Sequence, residues 1–229
     1  MGHIVITGAN RGIGLALLKQ YLSTGKRVSA ICRRSSPELD ELGTQFSALL
    51  TVVTGIYIDR DDCISALKTA LKPGQPIDIL INNAGVLYRD TFPADETDWN
   101  DFRKQYEVNA LGPLRVTAAL RSRLSEGSKV VIVTSRMGSV ADNNSGRMYG
   151  YRMSKAAVNA AGKSLSVDLK PAGIPVLLVH PGYVRTGMTG GNGYIDAPEA
   201  ASGIIERITE LSIERSGSFM HANGENLPW

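Results

Sequence analysis

The feature that most constrains this chain is the alternation of short, continuous apolar runs with longer segments of helical periodicity. Seven runs are predicted to be strands: Ile4–Thr7, Val28–Cys32, Gly55–Ile58, Ile77–Ile81, Val130–Thr134, Val176–Val179 and Ser218–His221. Helical spacing of apolar residues marks the segments Gly14–Ser23, Asp98–Leu124, Tyr151–Leu169 and Pro198–Leu211. Strands without polar alternation are typical of a parallel sheet that is covered on both faces. The pattern therefore predicts an α/β fold with helices on both sides of a parallel sheet.

Length, composition and charge narrow the class of protein. A chain of 229 residues with 43% hydrophobic and 21% charged residues fits one globular domain, 1–229, and argues against a disordered or fibrous chain. The net charge is only +3 and no block of like charges occurs, so we expect no nucleic-acid partner. No apolar run reaches the ~18 residues of a membrane span. The first predicted strand begins near His3, and Cys32 and Cys63 are isolated, so we expect a cytoplasmic chain without a signal peptide or a metal site.

A glycine-rich turn follows the first predicted strand and opens the first helix. Its glycines are spaced G-x-x-x-G-x-G, which lets Gly8 form a tight turn, Gly12 approach a pyrophosphate and Gly14 pack the helix close to the strand. A helix N-terminus also attracts phosphate through its free amides and its dipole. A turn without a ligand is the alternative, but its position favours a dinucleotide site. The predicted contacts are Gly8, Asn10, Arg11, Gly12, Ile13 and Gly14.

Two arginines, Arg33 and Arg34, follow the second predicted strand. An acidic residue at this point would accept a hydrogen bond from the ribose 2′-hydroxyl of NAD, whereas arginine favours the 2′-phosphate of NADP. Arg11 adds a third positive charge on the same rim. A solvated loop is the alternative. The pair predicts that NADP(H) is preferred, and NAD(H) stays possible.

Further cofactor contacts are predicted after later strands. Asp59, at the end of the third predicted strand, is a candidate acceptor for the adenine amino group, although it could instead cap a helix. Asn83, Ala84 and Gly85 follow the fourth strand, where small residues would let the ribose lie against backbone and the asparagine would join neighbouring strands. After the sixth strand, a loop is expected to flank the nicotinamide, and its residues are Pro181, Gly182, Val184 and Thr186.

A tyrosine and a lysine one helical turn apart form the candidate proton-transferring pair. Tyr151 and Lys155 project from the same face of a predicted helix. A phenol has an unperturbed pKa of about 10, and we expect the neighbouring ammonium to lower the pKa of Tyr151. The pair would then donate a proton during carbonyl reduction, or accept one during alcohol oxidation. An ordinary surface pair is the alternative.

Two further polar residues complete the candidate site. Ser135 ends the fifth predicted strand, where its hydroxyl would hold a substrate oxygen, and Thr134 and Ser139 are rival hydroxyls. Asn109 lies inside a predicted helix, where asparagine is unfavourable, so we expect a local irregularity or a bound water there. A solvent-facing asparagine is the alternative.

The order of these motifs resembles the short-chain dehydrogenase/reductase superfamily. T-G-x-x-x-G-x-G, N-N-A-G, Asn, Ser, Y-x-x-x-K and P-G-x-x-x-T follow one another along essentially the whole chain. The resemblance implies a doubly wound, Rossmann-type fold with a seven-stranded parallel sheet. It also implies a catalytic tetrad of Asn109, Ser135, Tyr151 and Lys155, in which the asparagine supports a water that relays protons to the lysine.

The stretches Met148–Lys155 and Asn226–Trp229 are most similar to the C-factor and sniffer-like carbonyl reductases. The loop Asp142–Gly146 lengthens the interval between the candidate serine and tyrosine, so we expect it to reshape the entrance of the site. The segment Gly187–Asp196 is short and rich in glycine where larger members have a substrate-covering helix. That difference implies an open pocket with weak substrate selection.

These features predict an NADP-dependent carbonyl reductase that acts on a small-molecule carbonyl or alcohol. One alternative is a dinucleotide-sensing or signalling module with little turnover, against which the complete tetrad argues. Another is an NAD-dependent alcohol dehydrogenase, against which the arginine pair argues. We expect residues 1–90 to bind mainly the dinucleotide and residues 91–229 to carry mainly catalysis and substrate binding. The resemblance leaves a homodimer or a homotetramer open.

Overall fold

The computed structural model of the protein describes residues 2–71, 74–91 and 97–229. The strands of its main sheet are β1 (His3–Thr7), β2 (Arg27–Ile31), β3 (Leu50–Val53), β4 (Ile79–Asn82), β5 (Lys129–Val133), β6 (Val176–His180) and β9 (Ser218–His221). They are all parallel and lie in the order β3-β2-β1-β4-β5-β6-β9. The direction of winding reverses between β1 and β4, and ligands of such sheets bind beyond the carboxyl ends of the strands at that point. The predicted doubly wound, seven-stranded sheet is confirmed.

Helices cover both faces of this sheet. They are α1 (Gly12–Ser23), α2 (Pro37–Gln45), α3 (Cys63–Ala70), α4 (Trp99–Tyr106), α5 (Gly112–Leu120), α6 (Tyr149–Leu169) and α7 (Ala197–Glu210). Successive side chains of a strand point to opposite faces. Ile4 and Ile6 of β1 therefore pack into the cluster formed with α1 and α7, and Val5 packs into the cluster formed with α3 and α5. This two-sided burial explains the continuous apolar runs.

The third predicted strand is wrong. The structure places β3 at Leu50–Val53, and the predicted run Gly55–Ile58 lies beyond the end of that strand. Because β3 is an edge strand, Thr51 is exposed and the segment lacks the continuous apolar pattern. Gly55 has a φ of 77°, a left-handed conformation that turns the chain out of the sheet. The other six strands lie within two residues of their predicted positions.

The long helix predicted over Asp98–Leu124 is interrupted. The α-helices α4 and α5 are joined by a π-helical turn at Glu107–Leu111, and a 3₁₀ turn at Arg121–Arg123 ends the segment. The irregularity expected at Asn109 is therefore confirmed, since the residue lies in the middle of the π-helical turn. Turns of this kind are frequent at functional sites.

The second half of the molecule adds a small element beside the main sheet. The strands β7 (Val184–Arg185) and β8 (Ile195–Asp196) pair with each other, and a 3₁₀ turn at Gly187–Thr189 lies between them. The segment 187–196 thus contains no long covering helix, as its composition predicted. In the part of the chain that the structure describes, no helix has both the length and the apolar character that crossing a bilayer requires.

Candidate active site

A cavity of about 500 Å³ opens at the carboxyl ends of the central strands, a size that suits a bound cofactor. Most of the predicted cofactor contacts line it: Gly8, Asn10, Arg11, Gly12, Ile13, Arg33, Arg34, Asp59, Asn83, Ala84, Gly85, Tyr151, Lys155, Pro181 and Thr186. Three predicted contacts, Gly14, Gly182 and Val184, do not line it. The structure thus brings the motifs that follow β1, β2, β4 and β6 to one cavity.

The glycine turn has the geometry of a phosphate cradle. Gly8 and Gly12 have φ values of 67° and 53°, which glycine adopts without steric cost. Gly14 lies behind the turn, where an added Cβ would be only 2.3 Å from the carbonyl oxygen of Gly8. No side chain caps the N-terminus of α1, so its first amides are available to an anionic ligand. These residues fit a dinucleotide pyrophosphate.

The polar residues after β4 hold this turn in place. The Asn83 side-chain amide donates hydrogen bonds to the carbonyl oxygens of Thr7 (2.9 Å) and Gly8 (3.2 Å). The Thr7 hydroxyl accepts hydrogen bonds from the backbone amides of Asn83 and Ala84, both at 3.1 Å. The prediction that asparagine joins neighbouring strands here is confirmed.

The arginines at the rim of the cavity have no salt-bridge partner among the described residues, whereas the acidic residue at the rim has one. Arg11, Arg33 and Arg34 are exposed, and none of them forms a salt bridge within residues 2–71, 74–91 and 97–229. Asp59 instead pairs with Lys104 of α4. Partial burial is the largest single influence and opposes ionisation of Asp59, but the hydrogen bonds from Lys104 and from its own backbone, together with the charges of Lys104 and Arg33, outweigh it and lower the pKa of the carboxyl group. The arginines therefore stay available to a phosphate.

Asp59 also corrects a positional prediction. It does not end a strand, because β3 stops at Val53 and Asp59 lies in the turn that follows the loop. Asp59 still lines the cavity. Three neighbouring residues also line it, although they had been predicted as part of a strand and not of the site: Ile56, Tyr57 and Ile58. The adenine contact assigned to Asp59 stays a prediction.

Tyr151 and Lys155 line the cavity, and Ser135, which is not among its lining residues, lies beside the Tyr151 phenol. The phenol of Tyr151 is buried and hydrogen-bonded with the Ser135 hydroxyl. The ammonium group of Lys155 lies 5.8 Å from the centre of the Tyr151 ring and donates a hydrogen bond of 3.0 Å to the carbonyl oxygen of Val133. The buried centre therefore presents a phenol, a hydroxyl and a cation together.

The acid–base properties of the pair differ from the prediction. Burial raises the pKa of Tyr151 to about 12, against the opposing effect of the hydrogen bond with Ser135. Burial likewise lowers the pKa of Lys155 to about 8. The expected lowering of the tyrosine pKa by the lysine is wrong for the protein alone, because removal from water disfavours both charged forms. Tyr151 is therefore a protonated phenol at neutral pH.

Asn109 positions backbone, although it does not line the cavity itself. Its side-chain oxygen accepts a hydrogen bond from the amide of Val86, and its NH₂ group donates to the carbonyl oxygen of Val86, both at 2.8 Å. The same NH₂ group donates to Ser154 of α6 at 3.0 Å. A Cβ on Gly85 would lie 3.2 Å from the Asn109 oxygen and 3.9 Å from the Lys155 nitrogen. Asn109 thus links the loop after β4 to helix α6, which carries Tyr151 and Lys155.

The rival hydroxyls have other partners. Thr134 donates a hydrogen bond of 2.6 Å to Asn159, and Ser139 donates one of 3.2 Å to the main-chain oxygen of Trp229. Trp229 also accepts from the amide of Ala141 at 2.9 Å, so the C-terminal segment holds the loop that follows Ser135. These contacts favour Ser135 as the hydroxyl beside the phenol.

The loop after β6 supplies further residues that line the cavity, including Pro181 and Thr186. Thr186 lies beside the glycine turn, because a Cβ on Gly12 would be 3.4 Å from its methyl group. Gly182 and Val184 have structural positions instead. A Cβ on Gly182 would be 3.1 Å from Ile195, and the Val184 carbonyl accepts a hydrogen bond from Thr189. The loop 142–146 contributes no lining residue, so its effect on the entrance stays a prediction.

Besides the neighbours of Asp59, the site contains two further groups that the sequence did not predict. The Val133 carbonyl that accepts from Lys155 is a main-chain atom, so no residue type could have marked it. Met188 lines the cavity from the 3₁₀ turn Gly187–Thr189, in a segment that the sequence analysis considered only for its glycine content. An apolar residue between glycines was the available signal.

Comparison with known proteins identifies similar sequences over the whole chain. The profile described as short chain dehydrogenase matches residues 2–193. The 1-hydroxy-2-glutathionyl-2-methyl-3-butene dehydrogenase of Rhodococcus sp. (strain AD45) is 39% identical over 234 residues, which cover 100% of each chain. The C-signal of Myxococcus xanthus is 46% identical over 156 residues, which cover 67% of this chain and 93% of its own.

Solved structures of similar proteins also match this chain over its whole length. The carbonyl reductase Sniffer of D. melanogaster has a TM-score of 0.91 at 29% identity, and the match covers 100% of each chain. A carbonyl reductase from Pseudomonas aeruginosa PAO1, solved in complex with NADP, has a TM-score of 0.87 at 34% identity, also over 100% of each chain.

Proposed function

Because this chain belongs to the short-chain dehydrogenase family of oxidoreductases, we propose that it is an NADP-dependent carbonyl reductase. The predicted resemblance to that family, and to its C-factor and sniffer-like members, is confirmed by the relatives. The observation that carries the proposal is the buried, protonated phenol of Tyr151, which is paired with Ser135 in a cavity of dinucleotide size.

Reduction of a carbonyl group requires a proton donor at the carbonyl oxygen. Tyr151 is a protonated donor at neutral pH, as any phenol with a pKa near 10 is, and burial strengthens this by raising its pKa to about 12. We assign the Ser135 hydroxyl to a hydrogen bond with the same substrate oxygen, which would hold the carbonyl against the phenol. A donor placed in advance in a dry site stabilises negative charge as it develops on oxygen. The two hydroxyl groups together would bind, orient and protonate the substrate oxygen.

We assign Lys155 to stabilising the phenolate that forms when Tyr151 gives up its proton. With a pKa of about 8 it is mostly protonated at pH 7, although it is buried. Loss of the phenolic proton would create a buried negative charge, and an ammonium group on the same helix face stabilises that charge. The tie from Asn109 to Val86 keeps Gly85 beside the lysine, so the cofactor-binding loop and the proton-transferring residues stay in register.

The cofactor preference rests on the rim of the cavity. A bound reduced nicotinamide would supply the hydride. The glycine turn fits its pyrophosphate, and Arg33 and Arg34 offer guanidinium groups without salt-bridge partners in the described residues to a 2′-phosphate. The P. aeruginosa carbonyl reductase, 34% identical, was solved with NADP. We assign Pro181 and Thr186 to the nicotinamide end.

The direct test combines turnover with binding. The purified enzyme is mixed with NADPH and a panel of aromatic and aliphatic aldehydes and ketones, and the loss of NADPH absorbance is followed. Tyr151→Phe is expected to lower kcat by at least about 10³-fold, within the range for loss of a general acid, while NADPH affinity changes little. Tyr149→Phe, on the same helix but absent from the cavity lining, is the matched control. Full activity in Tyr151→Phe would refute the mechanism.

Two other candidate functions are separated by the same assay. The Rhodococcus relative is named as a dehydrogenase of a 1-hydroxy compound, so the reverse reaction is tested with NADP⁺, NAD⁺ and primary alcohols. The M. xanthus relative is named C-signal, which favours the sensing alternative. Tight NADPH binding without turnover on either panel would support that sensing role and overturn the reductase proposal.

A further inference from the structure

The start of the catalytic helix has an unusual construction. Helix α6 begins at Tyr149, so Tyr151 lies within its first turn. The two residues before the helix, Arg147 and Met148, both have a φ of 55°, and no side chain at the N-cap position bonds the helix amides. Successive non-glycine residues in the left-handed region are uncommon and persist only where other contacts enforce them.

Those contacts come from Asp90, which lies in the loop after β4. Its two carboxylate oxygens accept separate hydrogen bonds, one from the amide of Tyr149 at 2.6 Å and one from the amide of Gly150 at 3.1 Å. Its main-chain oxygen accepts from the amide of Met148 at 3.1 Å. One residue, distant in sequence, thus binds three consecutive amides at the start of the helix.

The loop that carries Asp90 is itself fixed against α4. The Gln105 side-chain oxygen accepts a hydrogen bond of 3.0 Å from the amide of Tyr88. The helix start packs tightly at the same place, because a Cβ on Gly150 would be 2.5 Å from the Gln105 nitrogen and 3.4 Å from Asp90. Asp90 therefore has little freedom to move with the helix.

We propose that Asp90 is a positioning residue for proton transfer, which fixes the first turn of α6 and thereby the direction of the Tyr151 phenol. The proposal rests on the proposed function in so far as Tyr151 is the acid. A carboxylate suits the task because it can accept both amides and because its charge complements the helix dipole. An amide side chain in its place would offer one acceptor, and its NH₂ group would face an amide donor.

The effect of losing Asp90 should be confined to the first turn. Lys155 lies one turn deeper, where its ammonium group bonds the Val133 carbonyl and a Cβ on Gly138 would be 2.7 Å from its backbone carbonyl carbon. Asp90 is absent from the lining of the dinucleotide cavity. We therefore expect slower chemistry with largely unchanged cofactor affinity.

The experiment compares the full-length variants Asp90→Ala, Asp90→Asn and Asp90→Glu with a matched control, Asp98→Ala. Asp98 likewise caps a helix N-terminus: its carboxylate accepts a hydrogen bond of 2.9 Å from the amide of Asn100 at the start of α4. Amide hydrogen exchange is measured over residues 147–153, together with kcat and NADPH affinity. Asp90→Ala is expected to accelerate exchange at residues 149–151 and to lower kcat by about 10–100-fold, with NADPH affinity changed by less than about threefold.

The remaining variants separate positioning from general stability. Asp90→Asn, which is nearly isosteric, is expected to resemble the alanine variant, and Asp90→Glu is expected to recover part of kcat. Asp98→Ala should leave kcat unchanged. Unaltered exchange at residues 149–151, or faster exchange with full kcat, would overturn the proposal. If the alanine variant does not fold, Asp90→Asn decides by the same criteria.

A readout without turnover keeps this inference separate from the proposed function. If the wild-type enzyme reduces no carbonyl, only the proposed function fails. The titration of Tyr151 is then followed by ultraviolet absorbance as the difference between each protein and its Tyr151→Phe counterpart. Because burial raises the pKa of Tyr151, a loosened first turn should lower it in Asp90→Ala. An unchanged titration would refute the positioning role.

Discussion

The dinucleotide half and the catalytic half of this molecule are built in different ways. In residues 2–90 each cofactor contact follows its own strand by a few positions, as Gly8 follows β1 and Arg33 follows β2. In residues 97–229 the proposed catalytic residues depend on partners distant in sequence, as Asn109 does on Val86 and the helix turn that carries Tyr151 does on Asp90. The proposed cofactor contacts can therefore be located from local sequence, although Asn83 and Thr7 join them across the sheet, whereas the proposed catalytic residues depend on tertiary contacts that no local pattern marks.

This contrast has a consequence for tolerance to mutation. Backbone makes the surface of the phosphate cradle, so changes that add atoms to the turn should damage it most. Side-chain hydrogen bonds make the catalytic half, so removal of a single amide or carboxylate should disturb it.

The largest effect should come from adding one carbon atom to the dinucleotide half. In Gly14→Ala the new Cβ would lie 2.3 Å from the Gly8 carbonyl oxygen, so the turn and the helix must separate. We expect the free energy of unfolding to fall by about 3 kcal/mol or more, and NADPH affinity to fall by at least about 100-fold. Denaturant unfolding and calorimetric titration measure the two quantities.

Gly43→Ala is the matched control for that change. Gly43 lies in α2, and its added Cβ would come no closer than 3.6 Å to Val52. Alanine in place of a helical glycine should raise stability by up to about 1 kcal/mol. Equal losses in Gly14→Ala and Gly43→Ala would show that the cradle is not the sensitive feature.

The next largest effect should come from removing the hydrogen bonds by which Asn109 joins the two halves of the molecule. Asn109→Leu removes both hydrogen bonds to the Val86 backbone and leaves a partly buried amide and carbonyl without those partners. We expect the free energy of unfolding to fall by about 2 kcal/mol, and kcat to fall by about tenfold or more because Gly85 moves relative to Lys155. Asn100→Leu, the same change at an exposed site, should have little effect on kcat. Retention of full kcat in Asn109→Leu would break the contrast.

The preference for NADPH over NADH should depend on the exposed arginines at the rim of the cavity. Arg33→Asp replaces a phosphate ligand with an acceptor for a ribose hydroxyl, so the ratio of NADPH to NADH affinity should fall by about 10–100-fold. Arg121→Asp makes the same charge change in the 3₁₀ turn after α5 and should leave the ratio unaltered. An unchanged ratio in Arg33→Asp would refute the assignment of that arginine.

The smallest effect should be a pH dependence in the cofactor-free protein. Burial lowers the pKa of Lys155 from 10.5 to about 8, so between these values the unfolded chain binds a proton that the folded chain does not. Stability should therefore rise with pH, and the contribution of Lys155 from pH 7 to pH 9 is about 1 kcal/mol. Lys155→Met should lack that gain, whereas the exposed control Lys163→Met should retain it. Parallel profiles for wild type and Lys155→Met would contradict the buried lysine.

Much of the site could be predicted because its signals are local. The glycine spacing, the arginines after β2 and the pair Tyr151 and Lys155 each lie within a few residues of one another, and strand ends bring them to one edge of the sheet. The position of β3 could not be predicted in the same way. An edge strand is covered less completely, so Leu50–Val53 lacks the apolar run that marks the central strands.

The sequence by itself therefore determined the α/β class, the family and the candidate residues for the chemistry. Tertiary structure alone decided how those residues behave. Burial, which no spacing reports, raised the pKa of Tyr151, contrary to the lowering that its neighbouring lysine predicted. Long-range contacts likewise made Asp90, an unremarkable loop residue in the sequence, the cap of the catalytic helix. The physical reason is that desolvation and hydrogen bonding depend on what surrounds a group in space, whereas spacing records only its neighbours along the chain.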